Sequence, residues 1–179
     1  MTDELRRIIE EKIPKMEGWA TVSKALEMAQ LILDTKPMLV VELGVFGGRS
    51  LLPQALALRE SGQGRIYGVD PMQVAPAIEG EIGEANAQWW LKDCPLNVIH
   101  QGCMEALWDE NLEPWFIIIR ATAEHAAHLF KDIDILHFDQ NHSELSSMRD
   151  IQIYYPLVKP GGYIWFDDTN WTTTRKAQD

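Results

Sequence analysis

MLVVELGVFGGRSLLPQALALRES, residues 38–61, reads as an apolar run, a tight glycine loop and a helix in succession. Residues 38–44 are apolar but for Glu42, the pattern of a parallel strand buried on both faces. Pro37 stops helical structure before the strand, and Pro53 is tolerated in the first turn of the helix after it. The same alternation continues along the chain. RIYGVDP (65–71), FIIIRA (116–121), IDILHFD (133–139) and YIWFD (163–167) read as four more strands. TAEHAAHLF (122–130) and SELSSMRDIQIYYPLV (143–158), the latter with Ser143 as N-cap, read as helices between them. Strands alternating with helices imply right-handed crossovers, hence an α/β fold: a doubly wound, mainly parallel sheet with helices on both faces. No repeat, low-complexity tract or linker divides residues 1–179, so one domain is expected.

Outside this frame lie two segments. Residues 1–36 carry N-terminal helices: 3–16, with Leu5, Ile8, Ile9 and Ile13 on one stripe, and a second from a Thr21 or Ser23 cap to about Leu33. Residues 72–115 form a tryptophan-rich insertion with helical pieces around 85–92 and a short apolar run at 97–100. Trp89 and Trp90 are adjacent, and two neighbours on a helix cannot both face one core, so either one lines a pocket or an interface or the two cover separate patches of core.

Composition narrows the partners. A net charge of −11 argues against nucleic acid or an anionic membrane, both of which need a basic footprint. The N-terminus is charged and amphipathic, unlike a signal peptide, and no apolar run approaches the roughly 20 residues of a membrane span. Cys94 and Cys103 are not in CxxC spacing and read as reduced packing thiols. A soluble cytoplasmic protein is expected.

In an open α/β sheet, ligands bind beyond the carboxyl ends of the strands. Three acids stand there: Asp139 after the fourth strand, Asp167 and Asp168 after the fifth. Carboxylates gathered at such an edge suit a hard divalent cation. The glycine loop opens the other half of that edge. Gly44 lets the chain turn, and Gly47 and Gly48 allow backbone to approach a ligand. The spacing is not GxGxxG, and Phe46 would crowd a pyrophosphate, which argues against a dinucleotide. Asp70, ending the second strand, stands where an acid can accept both hydroxyls of a ribose.

VELGVFGGRS, GVDP, IIIRAT, HFDQNHSE and YYPLVKPGGYIWFDD, in that order, resemble the class I S-adenosylmethionine-dependent methyltransferases over roughly residues 18–170. The resemblance implies a Rossmann-like fold and S-adenosylmethionine as cofactor. Glu42 and Gly44 would flank its methionine part within the loop of Phe46, Gly47 and Gly48. Ser50 would help its carboxylate, Asp70 hold the ribose, Thr122 lie near the adenine, and Asp139 border the same cleft. Ala121 departs from the pattern, since relatives often carry glycine before the hydroxyl residue.

Within that superfamily, Asp139, Asp167 and Asp168 match the metal ligands of the divalent-metal-dependent O-methyltransferases of catechol and antibiotic-sugar type. The resemblance implies magnesium as the ion, a small hydroxylated acceptor, and His142, three residues after Asp139, as the base. Asn141 and Asn170 are spare oxygen ligands or acceptor contacts. The other histidines, His100, His125, His128 and His137, lack metal-ligand spacing and read as structural.

Relatives follow the fifth strand with a helix and two further strands, whereas WTTTRKAQD closes this sequence at Asp179. The sheet is therefore expected to be C-terminally short, with YIWFD as an exposed apolar edge. Two consequences are open: a homodimer or swapped assembly covering that edge, or a truncated, inactive domain that binds cofactor or serves as a scaffold.

Overall fold

A computed structural model describes residues 1–179. Its centre is a five-stranded parallel sheet of β1 (Leu39–Leu43), β2 (Arg65–Val69), β3 (Phe116–Ile119), β4 (Ile133–Phe138) and β5 (Val158–Phe166) in the order β3-β2-β1-β4-β5. Chain direction reverses its progress across the sheet between β1 and β4, so their carboxyl ends make the crevice where such folds bind ligands.

The helices are α1 (Asp3–Lys12), α2 (Val22–Thr35), α3 (Leu51–Ser61), α4 (Val74–Ala77), α5 (Glu84–Gln88), α6 (Leu96–Asp109), α7 (Ala123–Ala126), α8 (Glu144–Tyr154) and α9 (Arg175–Gln178). Strand side chains alternate between two cores. Val40, Ile66 and Ile135 face α1, α2, α3 and α6, while Val41, Leu43, Leu136 and Phe138 face α7, α8 and α9. Residues Leu51 to Leu58 of α3 are buried without a break, because this helix is covered by the sheet on one side and by α1 and α2 on the other.

Prolines account for the helix ends that differ from expectation. Pro14 converts the end of the first helix into a 3₁₀ turn at Ile13–Lys15, and Pro156 does the same at Tyr155–Leu157. Residues 97–100 lie inside α6, which buries Ile99, Cys103 and Leu107 and serves as the crossover between β2 and β3. The Pro-Gly-Gly turn is absorbed as an irregularity in β5: Val158 pairs with Ile133 and Tyr163 with Ile135, leaving the residues between looped out.

The adjacent pair Trp89 and Trp90 corrects the expectation that the two rings diverge. Trp89 and Trp90 both reach the Phe46 ring, at centroid distances of 6.2 and 5.6 Å. The helix is π-helical over Trp89–Asp93, and the rings stand edge to face at 75°, so two neighbours share one aromatic cluster.

Candidate active site

Asp70 organises the glycine loop. Its Oδ2 accepts from the amides of Val45 and Phe46, both at 2.9 Å, and its Oδ1 from Met72 at 2.7 Å. Phe46 (φ 48°) and Met72 (φ 52°) are both left-handed, a conformation that side-chain-bearing residues adopt at a cost. The carboxylate expected to take a ribose thus has three amide partners already. The glycines are equally engaged. A Cβ on Gly44 would lie 1.7 Å from the Asp139 carbonyl oxygen, one on Gly47 2.2 Å from that of Glu17, and one on Gly48 2.3 Å from Cys103 Sγ. Burial pushes the Cys103 thiol up to about 12, so it packs as a neutral group.

Glu42 and Ser50 are buried together: Ser50 donates to Glu42 Oε1 (2.7 Å) and Gln54 Nε2 to Oε2 (2.6 Å). Above the loop, Trp19 stacks on Phe46 at 5.1 Å and 23°, although 71% of its surface is exposed. Thr122 caps α7 and lies 2.7 Å from His125 Nδ1.

Of the three acids, Asp139 and Asp168 gather around His142. Asp139, Asn141, His142, Asp167 and Thr174 line a shallow cleft beyond β4 and β5. His142 Nε2 lies 2.6 Å from Asp168 Oδ2 and 3.8 Å from Asp139 Oδ1, close contacts of charge rather than aligned hydrogen bonds. Burial pushes the imidazole down, but the two carboxylates outweigh it and raise it to about 9; His142 in turn holds Asp168 below its usual value. Trp171 covers the ring at 4.8 Å. Asp167 turns the other way, to Lys24 of α2 and toward His137 Nε2 (3.5 Å).

Two groupings of ligand atoms, each within 4.8 Å, share Asp139: one with His137 and Asp167, the other with His142 and Asp168. Their oxygen and nitrogen donors fit a divalent cation, and Lys24 already sets a positive charge against Asp167.

Sequence reasoning missed Lys24 and His137. Nothing in local spacing marks a lysine on α2, while His137 stands in register with Glu42 on the neighbouring strand, a pairing that strand order alone decides. Asn141 is spent elsewhere than expected: its amide donates to the carbonyls of Pro76, Ala77 and Glu79, holding the insertion onto the β4 loop.

A family model described as a methyltransferase domain matches residues 41–169. The chain belongs to that family. Its fold is shared with a Podospora anserina methyltransferase solved with S-adenosylhomocysteine (TM-score 0.63, 15% identity, covering 93% of this chain and 62% of that one). An O-methyltransferase from Bacillus cereus, also with S-adenosylhomocysteine, aligns at TM-score 0.62 and 14% identity over 99% of this chain and 76% of that one. An O-methyltransferase of tomaymycin synthesis from Streptomyces achromogenes, solved with S-adenosylmethionine, aligns at 0.62 and 12% over 99% and 74%. At these identities the likeness is one of fold, and the domain spans less than two thirds of the Podospora protein. No curated protein sequence matches the chain. In this methyltransferase domain no helix is long and apolar enough to cross a membrane.

Proposed function

We propose that the domain transfers the methyl group of S-adenosylmethionine to a hydroxyl of a small acceptor, with a divalent ion at the acid edge. The observation that carries this reading is the convergence of Asp139, His142, Asp167 and Asp168 on the sheet edge that also holds the glycine loop. The cofactor supplies an electrophilic methyl on sulfur. Gly44, Phe46, Gly47 and Gly48 form its cradle, Glu42 and Ser50 brace the loop from below, and Asp70 and Thr122 stand toward the ribose and adenine. Docking on this reading exchanges some Asp70–amide contacts for cofactor hydroxyls and shifts Glu17 and Trp19 off the loop.

The ion supplies charge that orients an acceptor hydroxyl and lowers its pKa. Asp139, Asp167 and Asp168 are the carboxylates that would serve it, Asp139 being shared between a grouping with Asp167 and one with Asp168. When bound, the cofactor would give its methyl to the acceptor oxygen and keep the carbon–sulfur electron pair, and His142 would take the hydroxyl proton. His142 would shed its own proton more readily with a cation on Asp139, because Asp139 and Asp168 are what raise it to about 9. In line with this, the edge is built for orientation, the main route by which methyl transfer is accelerated.

Calorimetric titration with S-adenosylhomocysteine tests the cofactor claim; no heat at millimolar ligand overturns it. Methyl transfer to a vicinal diol, run with and without chelator, tests the ion, and activity indifferent to chelator removes it. A second reading, a cofactor-binding or scaffold domain without turnover, is favoured by one observation: the loop amides and Asp70 already satisfy one another. Binding without transfer across a panel of catechols and sugars supports that reading. We also propose a soluble, cytoplasmic homodimer, formed through the outer edge of β5, which no strand of this chain pairs.

A further inference from the structure

His137 is the one histidine of the domain that is almost wholly buried (1% exposed), and neither of its ring nitrogens has an aligned hydrogen-bond partner. A buried polar group left in that state is costly unless something else satisfies it. Its surroundings suggest what. Nδ1 lies 3.2 Å from Glu42 Oε2, within reach of a ring N–H, and Glu42 is itself fixed by Ser50 and Gln54. Histidines that ligate metals are oriented in this way, one N–H directed at a carboxylate and the other nitrogen's lone pair left free. The free side, Nε2, points at Asp167, 3.5 Å from Oδ2. Two donors each about 2.1 Å from one ion stand roughly 3.0 to 3.4 Å apart. Asp139 offers an oxygen within 4.8 Å of both.

We propose that the ion is held by His137 Nε2 together with Asp139 and Asp167, and that this nitrogen donor makes the site one for a first-row transition ion such as manganese or cobalt in preference to magnesium. Oxygen-only sites suit magnesium, whereas an imidazole beside carboxylates suits the transition series. Lys24 is then the internal cation that the ion displaces from Asp167. This inference rests on the reading of the acid edge as a metal site.

The test uses the full chain stripped with chelator. Mg²⁺, Mn²⁺ and Co²⁺ are titrated separately by calorimetry, and the Mn²⁺-loaded protein is examined by pulsed electron paramagnetic resonance for modulation from a directly bound ¹⁴N. The expected result is at least tenfold tighter binding of Mn²⁺ and Co²⁺ than of Mg²⁺, with ¹⁴N modulation that persists in His142→Gln and is lost in His137→Gln. The nitrogen signal in the wild-type protein decides the matter even if the His137 variant folds poorly, since carboxylates alone also favour manganese somewhat. Absence of ¹⁴N modulation overturns the inference, as does a signal lost in His142→Gln. Binding of Mg²⁺ that Asp139→Asn abolishes and His137→Gln leaves intact sinks the inference and keeps the metal reading. No binding of any ion sinks both.

Discussion

The Asp70 carboxylate accepts from three backbone amides, two of them on the left-handed residues Phe46 and Met72. Hydrogen bonds to a charged acceptor contribute more than neutral ones, and here they also hold strained backbone. Asp70→Ala is therefore expected to lower stability by about 3 kcal/mol, seen as a lower urea midpoint with an unchanged slope. A midpoint equal to wild type would show that the loop holds itself. Gly44 and Gly62 make a second, paired comparison. Both have positive φ, but a Cβ at Gly44 meets the Asp139 carbonyl and one at Gly62 meets nothing within 4 Å. Gly62→Ala should cost about 1 kcal/mol for backbone conformation alone. Gly44→Ala should cost about 3 kcal/mol or more, since β1 and β4 must separate; thermal melts of the two variants give the contrast directly.

Among the elements, the starts of β1, β4 and β5 are tied by one side chain. Asp134 on β4 accepts from the amides of Met38 (2.8 Å) and Leu39 (2.7 Å) and pairs with Lys159 on β5. Burial would raise its pKa, but Lys159 and the two amides outweigh burial and hold the carboxyl below its usual 3.8. A depressed carboxyl pKa stabilises the fold above the unfolded value and loses that contribution as pH falls through the folded one. Asp134→Asn should thus be less stable than wild type at pH 7. The gap should narrow progressively below about pH 4, as thermal midpoints across that range would reveal; a constant gap would mean that packing, not charge, sets the difference. The insertion is fastened in a similar way. Asn141 holds three of its carbonyls, and Arg149 forks onto Glu79 at 3.1 and 3.0 Å. Both clamps come from the loop and helix beside the acids, and Asn141 also lines the cleft.

For the whole molecule, the unpaired edge is the feature with consequences. β5 is nine residues long, lies at one end of the sheet and exposes Tyr163 by 48%. Unpaired amides and carbonyls along such an edge template the addition of another strand. Sedimentation of this chain at micromolar concentration should give a species of twice the chain mass; a monomer at all concentrations would overturn the proposed pairing.

The number, type and order of strands, the glycine loop and the strand-end acids could be read from the chain because each depends on local periodicity: a parallel strand buried on both faces is apolar throughout, and the residue after it falls at the sheet edge whatever lies alongside. The extent of α6 is less legible, because Gly102 interrupts its pattern while packing against the first core supplies the helix. Which partners the acids take was not legible at all. Asp167 meets Lys24 and His137, and Glu42 meets His137, only because β4 lies between β1 and β5 with α2 across them. Local sequence specifies which groups reach the edge; strand order and helix packing decide which charges face one another there, since electrostatic partners are set by distance in space and not along the chain.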